Sequence, residues 1–186
     1  ISWETQAGTD VHIAFTGFRS RRACPLMIRK MDERDIARIA ELETELFGKE
    51  AWNEDIIRQE LAAPSRMYIV DEDRASGDIC GYAGLWFDSD DAQIMTLGVS
   101  KKYQRQHRGQ RLLDELYRAA AGFGAGRMLL EVRVDNGPAV SLYKKNGFEL
   151  MGIRRRYYQP EDIDAYTMAR TVAEGRKGDF QEDHHE

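Results

Sequence analysis

Residues 129–148 read Leu129-Leu130-Glu131-Val132-Arg133-Val134-Asp135-Asn136-Gly137-Pro138-Ala139-Val140-Ser141-Leu142-Tyr143-Lys144-Lys145-Asn146-Gly147-Phe148. The run from Met128 to Val134 has the composition of a strand, yet it carries a carboxylate in its middle. Successive strand side chains point to opposite faces, so Glu131 lies opposite Leu130, Val132 and Val134. Asn136 is placed to cap a short helix, Pro138 to Lys145, closed by Asn146-Gly147. That helix carries Tyr143. A further strand is expected over Phe148 to Ile153, which completes a β-α-β unit. An acid and a phenol at a strand-to-helix junction point to proton-transfer chemistry. Taken singly, each has a plainer reading. Glu131 has Arg133 two residues along on its own face, and Tyr143 has Val140 one helical step behind it for packing.

Upstream of this unit the periodicity alternates between helix and strand. Met27 to Met31 is expected as a first strand. Asp32, with Asp35 three residues on, is a capping-box-like start for a helix whose apolar stripe is Ile36, Ile39, Ala40, Leu46 and Phe47. A second helix is expected from Asn53 to Leu61, before Pro64. Met67–Asp71 and Ile79–Phe87 read as strands joined by the turn-rich segment 73–78, and Gln93–Val99 as the third strand of a meander, with Gly98 marking a bulge. Leu112, Leu113, Leu116, Tyr117 and Ala120 form the buried stripe of a long helix ended by Gly122, Gly124 and Gly126. Ile163–Thr171 is the last strand. The order is mixed α/β, with an antiparallel meander followed by a β-α-β unit.

Size and composition narrow the classes. The 186 residues suffice for one domain with a substantial core. Residues 27–172 are expected to be that domain, with 1–26 a peripheral extension, Met27 a candidate natural start, and 173–186 a tail. With 42% hydrophobic and 32% charged residues the chain is globular in composition. No apolar run approaches the roughly 18–20 residues that span a bilayer, and the first residues lack the apolar region of a signal peptide. Cys24 and Cys80 have neither framework nor metal spacing; two free thiols fit a reducing, cytoplasmic setting. A net charge of −5 argues against a chain built to coat nucleic acid. The basic residues are nevertheless clustered, at 101–111 and at Arg154, Arg155 and Arg156, which suits local anionic ligands.

The first basic cluster surrounds Tyr103-Gln104-Arg105-Gln106-His107-Arg108-Gly109-Gln110, between a strand and a helix N-terminus. Free backbone N–H groups and the positive end of a helix dipole there suit phosphate; a solvated basic loop reads the same way. The segment resembles the Gln/Arg-x-x-Gly-x-Gly/Ala pyrophosphate loop of the GNAT acetyltransferases, with His107 where the first glycine stands. Leu-Glu-Val-Arg at 130–133, Asn136, Leu142-Tyr143 and Gly147-Phe148 are similar to the ribosomal-protein-alanine N-acetyltransferases (RimI type). Arg154-Arg155-Arg156-Tyr157-Tyr158 and Asp164-Ala165-Tyr166-Thr167-Met168 resemble the closing segment of that group. The resemblance covers roughly residues 27–171.

The resemblance implies a GNAT fold, α/β (α+β), with a mostly antiparallel central sheet flanked by helices. It implies acetyl transfer from acetyl-CoA, without a metal, to a protein N-terminus, the usual acceptor being an alanine-starting small-subunit ribosomal protein; direct nucleic-acid or membrane binding is not expected. Glu131 would be the general base and Tyr143 the general acid. Leu97, Gly98 and Val99 would bind the acetyl-pantetheine arm. Arg105, Gln106, His107, Arg108, Gly109 and Gln110 would hold the pyrophosphate, and Asn136 would add a contact to the coenzyme. Tyr157 and Tyr158 match tyrosines near the acceptor. A broader N-terminal or lysine acetyltransferase and a non-catalytic acyl-CoA-binding module are the alternative readings.

Overall fold

A computed structural model describes residues 26–172, Leu26 by its backbone alone. The tail 173–186, and the N-terminal extension up to residue 25 with Cys24, lie outside the described residues. Seven strands form one sheet: β1 (Leu26–Lys30), β2 (Arg66–Asp73), β3 (Asp78–Phe87), β4 (Asp91–Val99), β5 (Arg127–Arg133), β6 (Glu149–Tyr158) and β7 (Ile163–Thr171). Their spatial order is β1-β2-β3-β4-β5-β7-β6. All neighbours are antiparallel except β4 and β5. Four α-helices cover the sheet: α1 (Ile36–Phe47), α2 (Glu54–Ala62), α3 (Arg108–Phe123) and α4 (Gly137–Lys145).

The expected helix starts match the caps. The Asp32 N–H donates to Asp35 Oδ2 at 2.9 Å, and Asp32 Oδ1 accepts the Arg34 N–H at 2.9 Å. This capping box closes a 3-10 turn, Glu33–Asp35, that feeds α1. Asn53 Oδ1 accepts the Ile56 N–H at 3.0 Å and so starts α2 one residue later than the pattern predicts. In α3 the stripe Leu112, Leu113, Leu116 and Ala120 is fully buried. Each such leucine contributes on the order of 1.5–3 kcal/mol by leaving water. Gly124, at φ 81°, ends α3 in the left-handed conformation.

Two apolar layers lie on opposite faces of the sheet. One packs α3 and α4 against Leu85, Ile94, Met128, Leu130, Val132 and Met168. The other packs α1 and α2 against Tyr68, Val70, Ile79 and Tyr82. On this second face two tyrosines lie across the glycine directly opposite on the next strand. Tyr68 pairs with Gly84 and Tyr82 with Gly98, and a Cβ at either glycine would come within 2.1 Å or 2.6 Å of the facing ring. Lying flat, the rings carry their hydroxyls out to the helices: Tyr68 donates to Glu60 of α2 at 2.7 Å, and Tyr82 to Glu43 of α1 at 2.6 Å.

Gly98 therefore serves close ring approach and does not mark the bulge expected there. The irregularity in β4 falls at Met95, between Ile94 (opposite Leu85) and Thr96 (opposite Gly84). A second departure is β6, which does not stop at Ile153 but continues through the arginine-tyrosine segment to Tyr158. Its pairing with β7 is interrupted between Arg154 and Tyr158. Arg156 there has φ 52°. The carboxylate of Asp164 holds this kink, accepting the Arg156 N–H at 2.8 Å and Arg155 Nη1 at 2.6 Å. Those same bonds, the backbone one foremost, hold the Asp164 carboxyl below its ordinary pKa.

Candidate active site

The parallel pairing of β4 with β5 covers three residues only, Asp91–Gln93 against Arg127–Leu129. Beyond it the two strands part. Among the described residues, one edge of β4 has no strand partner from Ile94 to Val99, while its other edge stays paired to β3. Leu97, Gly98 and Val99 thus lie along a free main-chain edge, inside the sheet, where an extended ligand can add as a strand would. The α3 N-terminus stands beside that edge: the Cβ position of Gly109 lies 3.8 Å from Val99 and 3.9 Å from Leu97 side-chain atoms.

The loop leading into α3 has two residues in the left-handed region, Arg105 at φ 58° and His107 at φ 60°. His107 is the residue preceding the first helical turn, and its side chain caps nothing. The position therefore holds the conformation that a glycine adopts without steric cost, and histidine adopts it at a cost on the order of 1 kcal/mol. His107→Gly is expected to raise the melting temperature slightly, by roughly 1–2 °C, since relief of strain outweighs the added freedom of the unfolded chain. A fall in thermal denaturation temperature would show that the imidazole makes a compensating contact.

The side chains of this loop divide into two sets. Arg105, Gln106 and His107 are exposed around the helix start. Arg108 turns inward: it is 4% exposed, donates from Nη1 to Asp71 Oδ2 at 3.0 Å, and lies 4.8 Å over the Tyr103 ring. Gln110 is also engaged, exchanging bonds of 2.7 and 2.8 Å with Asn146 and donating to Asp114. It ties α3 to the end of α4. The side chains of Arg108 and Gln110 are thus taken up by contacts within the protein. Asn136 Oδ1 accepts the Ala139 N–H at 3.2 Å and caps α4, which leaves its amide nitrogen for other contacts.

Glu131 lies on β5 with the alternation expected of it. Met128, Leu130 and Val132 are buried toward α3, whereas Glu131 and Arg133 are half-buried on the opposite face. Both carboxylate oxygens of Glu131 are engaged. Arg154 of β6 donates from Nη1 to Oε1, and the Tyr157 hydroxyl donates to Oε2 at 2.7 Å. The carboxylate beside it, with burial, pushes the Tyr157 phenol up from its ordinary pKa. The Tyr158 ring meets that of Tyr157 edge-on at 5.1 Å. Burial first, then the neighbouring Tyr157 and Glu131, push the Tyr158 phenol up to about 12. Arg133, two residues past Glu131, donates to Glu50 Oε1 and to both oxygens of Asp135, each at 3.1 Å.

Tyr143 occupies the other face. It is buried in the α3–α4 layer, edge-on to Phe148 at 5.6 Å. Among the described residues nothing hydrogen-bonds its hydroxyl; burial, then Tyr158, push its pKa well above the ordinary phenol value. The acid and the phenol thus approach β5 from opposite sides. Glu131, Arg154, Tyr157 and Tyr158 are brought together; the described contacts of Tyr143 are in the other layer, with Phe148. Glu50 is the partner that the sequence reading missed. Arg133, expected beside Glu131 from its i+2 spacing, pairs instead with Glu50 and Asp135, and the cation on Glu131 is Arg154 of the second basic cluster.

A strand edge open to an extended arm, a basic helix start that suits phosphate, and a carboxylate and a phenol on either side are groups with which acyl transfer from a phosphate-bearing carrier can be carried out. The chain belongs to the acetyltransferase (GNAT) family, whose model matches residues 32–148. It is 40% identical over 151 residues to the N-alpha-acetyltransferase RimI of Mycobacterium tuberculosis, covering 78% of this chain and 92% of that one. It is 34% identical over 100 residues to the [ribosomal protein bS18]-alanine N-acetyltransferase of Escherichia coli, 53% of this chain and 68% of that one. The crystal structure of the Escherichia coli ribosomal-protein-S18-alanine N-acetyltransferase superposes with a TM-score of 0.73 at 25% identity, over 82% of this chain and 97% of the other. Arabidopsis thaliana NAA60 in complex with acetyl-CoA, at 17% identity and a TM-score of 0.71 over 79% and 98%, shares the fold. Among the described residues no helix is long and apolar enough to cross a membrane, and no group of three or more His, Cys, Asp and Glu side chains is placed to hold a metal.

Proposed function

We propose that this chain transfers acetyl from acetyl-CoA to the N-terminal α-amino group of a protein, the acceptor being the N-terminal alanine of small-subunit ribosomal protein bS18. The observation that carries the reading is Glu131, held by Arg154 and Tyr157 beside the parting of β4 from β5. The relatives from Escherichia coli and Mycobacterium tuberculosis support the N-terminal acceptor by their names.

The chemistry asks little of the base. An α-amino group has a pKa of about 7.7–8, so roughly a tenth is neutral near pH 7. Glu131 takes the remaining proton directly or through one water, and the amine nitrogen attacks the acetyl carbonyl. Main-chain N–H groups on the free edge of β4, at Leu97, Gly98 and Val99, polarise that carbonyl. As the C–N bond forms and the C–S bond breaks, the nitrogen gives up its second proton to solvent and Tyr143 gives its proton to the departing thiolate, regaining one from solvent as the products leave. Its raised pKa keeps it protonated beforehand. The loop Arg105–Gln110 holds the pyrophosphate by main-chain N–H groups and by the exposed Arg105, Gln106 and His107 side chains. Tyr158, edge-on to Tyr157, forms the acceptor-side wall with it.

Tyr143→Phe is expected to slow the chemical step on the order of 10²-fold. It should leave the melting temperature nearly unchanged, because the ring keeps its packing on Phe148 and the lost hydroxyl strands no partner. Single-turnover kinetics with the same acceptor check it; full activity would make Tyr143 a packing residue. The acceptor is tested by mass spectrometry of peptides incubated with the protein and acetyl-CoA. One carries the bS18 N-terminus, others carry different first residues or a lysine behind a blocked N-terminus. Acetylation confined to the α-amine of the alanine peptide is the expected result. A broader set of α-amines would fit the Mycobacterium tuberculosis relative, whose name specifies no acceptor. Lysine products alone would overturn the proposal.

A further inference from the structure

Glu43 is the one carboxylate in the apolar stripe that α1 turns toward the sheet, next to Ile36, Ile39 and Leu42, and it is 2% exposed. An apolar residue there would pack without the desolvation that a buried carboxylate suffers. Burial does push the Glu43 carboxyl pKa upward, against the pull of its three hydrogen bonds. Those bonds reach three separate pieces of the chain. Oε1 accepts the Tyr82 hydroxyl of β3 at 2.6 Å and the Thr96 hydroxyl of β4 at 3.3 Å; Oε2 accepts the Trp52 main-chain N–H at 3.1 Å.

Two of these three partners bear on the site. Thr96 follows the Met95 bulge and lies in the stretch of β4 that has parted from β5. Trp52 follows the 3-10 turn Gly48–Glu50, and Glu50 accepts from Arg133 of β5, two residues past Glu131. The short segment between α1 and α2 is therefore fixed to β4 through Glu43 and to β5 through Glu50. It bridges the two strands on the face that carries Glu131.

We infer that Glu43 is a positioning residue, whose buried carboxylate sets the Gly48–Asn53 segment over the parting of β4 and β5 and thereby the path by which the acceptor amine reaches Glu131. It touches neither substrate. The inference rests on the N-terminal acetyl-transfer reading above and adds a residue through which acceptor binding, and not coenzyme binding, is controlled.

Two substitutions separate this role from simple core stability. Glu43→Met keeps the bulk and removes all three ties. Glu43→Gln can turn its amide so that the oxygen accepts the Trp52 N–H while the NH₂ faces the hydroxyl oxygens of Tyr82 and Thr96, so the ties survive without the charge. With a peptide acceptor of the wild-type enzyme, Glu43→Met is expected to raise the acceptor KM on the order of tenfold. The acetyl-CoA Kd should stay within about twofold of wild type, and the Trp52 amide should exchange its hydrogen faster while sheet amides do not. Glu43→Gln should recover most of the acceptor KM. Should Glu43→Met not fold, Tyr82→Phe, which strips one partner from Oε1 and keeps the ring over Gly98, is expected to raise the acceptor KM alone, by about threefold. An unchanged acceptor KM in a folded variant, or a parallel loss of acetyl-CoA affinity, overturns the inference while an active wild type leaves the functional reading standing. A wild type that binds acetyl-CoA but acetylates no N-terminal peptide overturns both.

Discussion

Glu131→Gln is expected to lower kcat by roughly 10²–10⁴-fold at neutral pH, the range that loss of a positioned base produces. The substitution is close to isosteric, and the site is arranged to keep it in place. The Tyr157 hydroxyl can still donate to the amide oxygen, and the half-buried position on β5 is set by main-chain pairing with Thr167 of β7. The acetyl-CoA Kd should therefore stay within about twofold, because the coenzyme site proposed above lies on β4 and the start of α3, not on Glu131. The pH dependence has a definite sign. Between pH 7 and pH 9 the neutral fraction of an α-amine rises from roughly a tenth to more than nine tenths. To the extent that Glu131 removes the proton before attack, the variant regains up to about tenfold over that interval relative to wild type. A variant as active as wild type at pH 7 would remove Glu131 from the reaction.

Most of the architecture could be read from local pattern, and the exceptions have a common cause. The alternation around Glu131 was enough to place it opposite Leu130 and Val132, since a strand has only two faces. The caps at Asp32 and Asn53, and the leucine stripe of the long helix, are likewise properties of a few adjacent residues. The parting of β4 from β5 is not such a property. It depends on where two segments more than thirty residues apart cease to pair, and no residue in either announces it. The same holds for the kink in β6. Arg154–Tyr158 reads as a basic, aromatic segment, yet what turns Tyr157 onto Glu131 is a carboxylate on the following strand, Asp164. Gly98 is visible as an unusual strand residue, but the reason for it is the ring of Tyr82 on the neighbouring strand, which local pattern does not show. Charge misleads in a similar way at the basic loop before α3, where Arg105 and Arg108 look equivalent in sequence. Only the packing of α3 against β2 and β3 shows that one faces solvent and the other a buried aspartate.

That buried pair should dominate the stability of the loop. Asp71 is fully buried in β2, and Arg108, 4% exposed, meets it from the first turn of α3. Arg111 Nη1 stands 3.8 Å from Oδ1, beyond hydrogen-bond reach; among the described residues Asp71 Oδ1, Arg108 Nε and Arg111 Nη1 have no hydrogen-bond partner. A carboxylate in such a place is tolerable only while its partner is present. Arg108→Met fills similar volume over Tyr103 but leaves Asp71 charged and nearly unpaired, which is expected to destabilise the fold by about 3–5 kcal/mol. For a domain of this size that is a fall in Tm on the order of 10 °C. The double variant Arg108→Met, Asp71→Leu should recover most of the loss, since replacing both members of a buried pair by apolar groups is often neutral or stabilising. Denaturant melts of the two variants measure the difference, and a single variant as stable as wild type would show that the pair contributes nothing. The double variant also carries a functional readout. Arg108 anchors the helix end whose N–H groups are proposed to hold the pyrophosphate, so restored stability with weakened acetyl-CoA binding would identify the pair as what fixes that end in position. Restored stability with native affinity would assign the positioning to the helix packing of Leu112 and Leu113 alone.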